Sequence, residues 1–343
     1  MKQFITPIAC VMLAALTSCS NDKVLSEATP KDRIDVSTAF GGVKTKAVVS
    51  NSDDLQNTSF VKDALINVYL KEHGDGTLAH FEPKYVFQKI ETPVNNANMQ
   101  IYAGQKNAYY PLSGNAVDAY AFYPASLDDD DNYNILDEMS EQTFTVLTDQ
   151  STAEYYRKCD LMFGSNKFEV KEDGTVGDIE NFQGTSKDQN PVKLIFKHKL
   201  SKIIVIIRAG GGLEESNLTG ATITMFGPKP DVKITTSSTG ISLDNAEGTA
   251  PTGGYNLGAY DANGNAAIVI PQTIEADNFI TIQLSSENGS KKYTYKLSSQ
   301  TTFETGKSYT YTLKLTSGGL DVTTQIGNWT EGTGVNDGTA NIE

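Results

Sequence analysis

Cysteine is scarce in this chain, with three residues among 343. Cys10 lies within an apolar N-terminal segment and Cys19 directly follows that segment, so Cys159 stands alone in the remaining sequence. No disulfide is expected inside the folded part, whose stability must come from the burial of apolar side chains. Because no histidine lies near Cys159 in sequence to act as a base, we predict that Cys159 is a small buried residue and not a nucleophile.

Basic residues are also in short supply. Lys and Arg together number 28 against 42 Asp and Glu, which gives a formal net charge of −14. An acidic surface of this kind disfavours binding to nucleic acid and to anionic lipid headgroups. No nucleic acid is therefore expected among the partners, and any attachment to a membrane needs a source other than surface charge.

Histidines are few, and the common catalytic motifs are missing. The three histidines, His73, His80 and His198, do not pair with each other or with a Cys at metal-ligand spacing. His198 lies in an alternating apolar run, which favours a packing or hydrogen-bonding role. The sequence has no Gly-x-Ser-x-Gly elbow and no phosphate-binding glycine loop with Lys. The acidic run Asp128–Asp131 lacks the spacing of a calcium loop and is interpreted as solvated. We predict no catalytic, cofactor-binding or metal-binding residue, and hence no enzyme.

The N-terminus has the features of a lipoprotein export signal. Lys2 precedes an apolar run at 4–16, which is too short to span a bilayer as a permanent helix. The sequence Leu-Thr-Ser-Cys at 16–19 places a Leu three positions before Cys19 with small residues between, as a lipoprotein signal peptidase requires. We expect residues 1–18 to be removed and the Cys19 thiol to carry a lipid that tethers the chain to a membrane. A simple secretory signal is the alternative.

Apolar side chains alternate with a period of two after a polar tether at 19–33. The first such run places Ile34, Val36 and Phe40 on one face, with Thr38 between them. Similar short runs, separated by Gly, Pro and polar turns, recur along the rest of the chain. This pattern predicts an all-β fold built from antiparallel β-sandwiches.

A polar stretch from Lys171 to Asn190 predicts a boundary between two domains. We expect an N-terminal β-sandwich at 34–185 and a C-terminal one at 186–343. Helical signals are weak, and the best candidate is Ser151–Lys158, where Glu154 stands at capping-box spacing. Near the end of the chain, two alternating runs separated by a Gly-Gly turn predict a hairpin, at 309–315 and 320–326.

Six segments, in order behind the export signal, resemble those of the fimbrillin family, the type V pilins of Gram-negative bacteria. They are Gly42–Ala47, Asp118–Pro124, the pair Asp149–Ser151 and Asp160–Met162, Phe196–Lys202, Gly306–Tyr309 and Ile326–Trp329. The resemblance implies two transthyretin-like β-sandwich domains. It also implies a structural subunit of a surface fimbria that supports cell adhesion and is held at the outer membrane through its lipid.

The same resemblance implies how the subunits assemble. In the family, lipoprotein-processing enzymes act first, and a trypsin-like surface protease then removes the first strand. This opens an apolar groove that a strand of a neighbouring subunit fills. Lys44 and Lys46 follow the first strand here, and Arg usually stands in the family at the place of Lys46. Two outcomes stay open: cleavage by another enzyme, or an uncleaved subunit that keeps its lipid and acts as an anchor.

The residues themselves are compatible with this scheme. Burying the side chains of Ile34, Val36 and Phe40 contributes roughly 5–8 kcal/mol before entropy costs, and their removal leaves unpaired backbone groups. A donor strand from another subunit recovers both terms by β-augmentation and gives a head-to-tail polymer. The candidate donors are the tail around 335–342 and the strand that carries Leu320, Val322, Thr324 and Ile326.

The alternative function is a glycan-binding surface lipoprotein. Trp329 and the 16 tyrosines have aromatic faces of the kind that stack on sugar rings. Most of the tyrosines, however, stand at alternating strand positions that suit cross-strand and core packing.

Overall fold

The computed structural model describes residues 32–40, 60, 63–74, 85–88, 98–104, 106–125, 141–172, 174–261, 264–329 and 338–340. Strands dominate this part of the chain. In chain order they are β1 (Val36–Phe40), β2 (Leu65–Glu72), β3 (Tyr85–Gln88), β4 (Asn98–Ile101), β5 (Val117–Tyr123), β6 (Glu141–Thr145), β7 (Asp149–Gln150), β8 (Met162–Ser165), β9 (Phe168–Val170), β10 (Val176–Asp178), β11 (Val192–His198), β12 (Ser201–Ala209), β13 (Thr222–Met225), β14 (Asp231–Ser237), β15 (Gly240–Glu247), β16 (Tyr255–Asp261), β17 (Gly264–Val269), β18 (Gln272–Ile274), β19 (Asn278–Gln283), β20 (Lys292–Lys296), β21 (Thr301–Phe303), β22 (Lys307–Leu315), β23 (Leu320–Asn328) and β24 (Gly338–Ala340).

Seven strands close into a barrel, in the order β1, β11, β8, β5, β2, β3 and β4. Because β1 runs parallel to β11 and antiparallel to β4, it closes the barrel between them. Successive side chains of a strand point to opposite faces, so one apolar set from each strand fills the interior. On β1 and β11 this set comprises the even-numbered residues, as the alternation in the sequence predicts.

The largest sheet has ten strands. β20, β19, β13, β16, β17, β12, β22, β23 and β24 follow one another, and β7 adds to β16. The sheet curves so that rings of β19 and β20 pack on β22. The Tyr311 ring centroid lies 5.1 Å from that of Phe279 and 5.8 Å from that of Tyr295. Smaller sheets of β15, β14 and β6, of β18 and β21, and of β9 and β10 complete the fold. The all-β class is confirmed, and the transthyretin-like type of the domains stays a prediction.

The predicted helix is present but starts later than expected. α1 spans Ala153–Lys158, and Thr152 caps it, because its hydroxyl oxygen accepts a hydrogen bond from the Tyr155 amide at 3.2 Å. The Ser151 amide donates instead to the Asp149 carboxylate at 3.0 Å, which places Ser151 in the turn before the helix. No helix in the described ranges has the length and apolar character needed to cross a membrane.

Strand pairing crosses the predicted domain boundary. β11 follows residue 186 in sequence and pairs with β1 and β8 of the barrel. β6 and β7 precede that boundary and pair with β14 and β16 of the C-terminal half. The division into 34–185 and 186–343 stays a prediction, since pairing describes sheets and does not define separately folding units.

Cys159 is fully buried just after α1, as predicted. Its Sγ accepts a hydrogen bond from the Leu147 amide at 3.3 Å and donates to the Tyr155 carbonyl at 3.2 Å. Burial raises the pKa of the Cys159 thiol to about 12. The thiol therefore stays protonated near neutral pH and packs as an apolar group.

Candidate functional site

The strand expected to be removable, β1, forms part of the barrel wall. Ile34, Val36 and Phe40 point into the barrel and expose only 1%, 0% and 8% of their surfaces, and Thr38 beside them exposes 8%. The three apolar side chains belong to one buried cluster with interior side chains of β2, β5 and β11. Taking β1 away would therefore open the barrel interior to solvent along the whole strand.

β1 is paired unequally on its two sides. On the β11 side the register runs without interruption from Val36 opposite Val192 to Phe40 opposite Phe196. On the β4 side the described pairs are only two, Val36 with Met99 and Ser37 with its neighbour in β4. The β1 seat, which we define as the groove between β11 and β4, thus fixes its occupant mainly through the parallel edge of β11.

The side chain of Asn190 binds the backbone at the start of β1. Its Oδ1 accepts a hydrogen bond from the Asp35 amide at 3.0 Å, and its Nδ2 donates to the Arg33 carbonyl at 3.1 Å. On the opposite side the Ile34 amide donates to the Ala108 carbonyl at 2.8 Å. All these contacts use main-chain atoms of the strand, so they would accept another strand as well. Sequence reasoning missed Asn190, because a polar residue in an expected linker carries no signal.

Aromatic rings close the far end of the β1 seat. The Phe40 ring centroid lies 4.9 Å from that of Phe60, 6.0 Å from that of Phe196 and 5.9 Å from the imidazole of His198. Phe60 and Phe196 meet edge to face at 4.9 Å. We call the site formed by Phe60, Phe196 and His198 the Phe40 pocket. Among the three described residues that form the Phe40 pocket, two are phenylalanines, so the imidazole of His198 is the one polar side chain of this set.

His198 connects the Phe40 pocket to the end of β23. Because a carboxylate only accepts hydrogen bonds, the imidazole Nδ1 donates to Asp160 Oδ1, at 2.8 Å, with both side chains buried. The imidazole also stacks on Trp329, with centroids 4.0 Å apart and planes 4° from parallel. The packing and hydrogen-bonding role predicted for His198 is confirmed. Trp329 itself is only 4% exposed and so has no open face for a sugar ring.

β23 carries the four candidate donor residues and pairs along its whole length with β22, so the predicted hairpin is confirmed. On its other edge the described pairs with β24 number three. Val322 is buried, whereas Leu320 and Thr324 are half-buried. Ile326 exposes 48% of its surface although it shares a face with Val322. The apolar face of β23 is therefore incompletely covered in its own sheet.

Several predicted residues lie outside the described residues: Cys19, Lys44, Lys46, the acidic run Asp128–Asp131 and His80. His73 is described, and its Nδ1 lies 2.7 Å from Asp118 Oδ1. Within the described ranges, no three His, Cys, Asp or Glu side chains gather as a metal cluster would require.

Comparison with known proteins places this geometry in a family. A family model described as fimbrillin-like matches residues 45–329. A protein of Bacteroides uniformis named "Putative fimbrium subunit Fim1C" is 25% identical over 337 residues, which cover 95% of this chain and 96% of that protein.

Two solved structures, each described as a "putative cell adhesion protein", share the fold. The one from Bacteroides uniformis has 19% identity and a TM-score of 0.57, covering 87% of this chain and 99% of that chain. The one from Bacteroides ovatus has 16% identity and a TM-score of 0.58, covering 87% and 97%. Since the family model spans most of the sequence, the chain belongs to the fimbrillin-like family.

Proposed function

We propose that this protein is a structural subunit of a surface fimbria. In this proposal it is exported as a lipoprotein acylated on Cys19, held at the outer membrane through that lipid, and assembled by protease-triggered donor-strand exchange that supports cell adhesion. The observation that carries the proposal is the position of β1: an N-terminal strand, almost fully buried in a barrel, lies directly before the two basic residues Lys44 and Lys46.

The energetics of the β1 seat favour refilling over an empty groove. When β1 departs, three apolar side chains leave a largely solvent-free interior, and the lost burial costs roughly 5–8 kcal/mol. The edge of β11 also loses its paired strand. A domain is typically stable by only about 5–15 kcal/mol. An empty β1 seat is therefore a strongly unstable state, and a strand from a second subunit restores it by β-augmentation.

Limited digestion of the purified full chain with trypsin tests this function. We expect a new N-terminus at Thr45 or Ala47, followed by multimers whose size grows with protein concentration. The variant K44Q/K46Q is the matched control, because it removes the two basic residues that follow β1 in sequence and leaves β1 intact. It should remain monomeric under the same treatment. Stable monomers after clean loss of β1 would refute assembly by strand exchange.

The lipid anchor is tested separately. Cells that produce the wild-type chain should incorporate labelled fatty acid into the protein, and the C19A variant should not. Sequencing the N-terminus of protein taken from the cell surface then distinguishes an acylated anchor, which begins at Cys19, from a processed subunit.

The glycan-binding alternative loses its main support, because Trp329 is buried against His198.

A further inference from the structure

A groove of about 610 Å³ lies on the outer surface of the barrel. Lys193 and Ile195 of β11 line it from the face opposite to the barrel interior, and β9 and the segment 181–185 line it as well. Its volume lies within the range of small-ligand sites, roughly 300–1,000 Å³. We call this site the β11 groove. The fimbrial function proposed above makes no use of it.

Two phenylalanine rings line the β11 groove, and each is positioned by a neighbour that lies outside the lining. Phe168 of β9 and Phe182 are both half-buried. The Lys197 Nζ lies over the Phe168 ring, 3.7 Å from its centroid. The His73 imidazole meets the Phe182 ring nearly at a right angle, with centroids 5.9 Å apart. The groove therefore has two partly exposed apolar surfaces whose orientation is fixed by packing behind them.

The segment 181–185, which carries one of these rings, is fastened directly to the barrel. Gly184 has a φ of +76°, and a Cβ at this position would lie only 2.7 Å from the Cβ of Ala116. This close approach requires a residue without a side chain. The backbone of Thr185 exchanges two hydrogen bonds with that of Val117, at 2.8 and 3.0 Å. The shape of the β11 groove is thus largely set before any ligand arrives.

Most of the polar side chains that line the β11 groove are uncharged amides. Asn181, Gln183 and Gln189 each carry a hydrogen-bond donor and an acceptor, which suits a ligand whose hydroxyl groups both donate and accept. Among the described lining residues, the charged side chains are one carboxylate, Glu169, and one ammonium group, Lys193. Their formal charges cancel, in contrast to the net charge of −14 of the whole chain.

We propose that the β11 groove binds a neutral oligosaccharide. A sugar ring has C–H bonds on its faces and hydroxyl groups around its rim, so it needs flat apolar surfaces beside two-way hydrogen-bonding groups. Phe168 and Phe182 supply the first, and the amides with Glu169 supply the second. A peptide that adds as a strand finds no free edge on β11, because β1 and β8 occupy both of its edges. The site is distinct from the buried Trp329, and it does not depend on strand exchange.

Binding of the labelled, undigested full chain to an array of neutral and sialylated oligosaccharides tests this proposal. We expect binding to neutral members of the array. F182A and E169A should each weaken it about tenfold or more, because one loses an apolar stacking surface and the other a charged hydrogen-bond acceptor. Y155A and E172A are the matched controls, since they remove an exposed ring and an exposed carboxylate that do not line the groove. Both controls should bind like wild type.

F182Y separates the loss of the ring from a defect in folding. It keeps the aromatic surface and its packing on His73, so it should bind like wild type and melt at the same temperature. If F182Y fails as F182A does, stacking on this ring is not the cause. Binding that survives both F182A and E169A would place the sugar elsewhere. A chain that binds no neutral member of the array, or prefers the sialylated ones, overturns the proposal. Because the chain is not digested, these outcomes are independent of polymerisation.

Discussion

Replacing Ile326 with Asp should block polymerisation while leaving the monomer folded. In its own sheet Ile326 is 48% exposed, so the substitution loses about half the burial of one Ile side chain, roughly 1 kcal/mol. Leu320–Ile326 is a candidate donor, and aligning it with Ile34–Phe40 residue by residue defines a donor register in which Ile326 takes the place of Phe40. In a neighbour's β1 seat Ile326 would then lie in the Phe40 pocket, formed by Phe60, Phe196 and His198. A carboxylate there loses about 2–3 kcal/mol of apolar burial and costs at least about 2 kcal/mol more in desolvation.

The difference between these two costs is about 4 kcal/mol per junction, which corresponds to a roughly thousandfold weaker equilibrium constant. Trypsin-treated I326D should therefore sediment as a monomer at concentrations where the wild-type protein forms multimers. Its melting temperature should fall by no more than about 4 °C, as expected for a loss of about 1 kcal/mol in a chain of this size.

The matched control is Q325D. It adds the same charge one residue earlier, on the opposite face of β23, which would stay on the outer side of the barrel in the same donor register. Q325D should polymerise nearly as well as wild type. If I326D polymerises like wild type, Ile326 does not enter the Phe40 pocket. If both variants fail equally, added charge and not burial is responsible, and the reasoning from the pocket is refuted.

Three further outcomes follow from the described contacts. N190A removes two hydrogen bonds to the backbone at the start of β1 and should lower the free energy of unfolding in urea by about 1–2 kcal/mol. It should also speed amide exchange at the start of β1, whereas D188A, a substitution of an exposed neighbour, should change neither quantity. Trp329, the single tryptophan, should shift its fluorescence to longer wavelength when polymerisation pulls β23 away from His198, and an unshifted spectrum would mean that the stack persists. Between about pH 9 and about pH 12, the free energy of unfolding of the wild type should fall more steeply with pH than that of C159A. In this range the unfolded chain loses the thiol proton of Cys159, whereas the folded chain keeps it because burial raises the pKa of the thiol to about 12.

The sequence was sufficient to predict the strands and which of their faces is buried. Period two is a local property, so Ile34, Val36 and Phe40 could be assigned to one face without knowledge of the fold, and the 309–326 hairpin followed from its Gly-Gly turn. α1 was placed almost correctly, although the cap fell on Thr152 because Ser151 binds Asp149 through its amide.

The contacts that form the candidate site could not be predicted in this way. The hydrogen bond of His198 with Asp160 and the stacking of its imidazole on Trp329 join three distant parts of the chain. No local sequence pattern indicates these two contacts. The same holds for Asn190, whose amide meets β1 only because β11 lies parallel to a strand more than a hundred residues earlier. Such long-range parallel pairing is set by topology, which the alternation of side chains leaves undetermined.

The segments Ile34–Phe40 and Leu320–Ile326 have similar sequences, Ile-Asp-Val-Ser-Thr-Ala-Phe and Leu-Asp-Val-Thr-Thr-Gln-Ile. If the second is the donor, this similarity raises the question of why unprocessed chains would not polymerise during export. Covalent linkage explains why they would not. A strand that is joined to its own barrel by a short segment competes for the β1 seat at an effective concentration of about millimolar. A donor on a separate molecule at about micromolar concentration competes at a thousandfold disadvantage, or about 4 kcal/mol. Cleavage between β1 and the rest of the chain removes this advantage in one step, because the freed peptide is then diluted like any other ligand. The donor remains attached to a whole subunit and gains additional contacts there. Two strands of nearly equal fit, one of which depends on an intact peptide bond, are thus sufficient to make proteolysis the trigger of assembly.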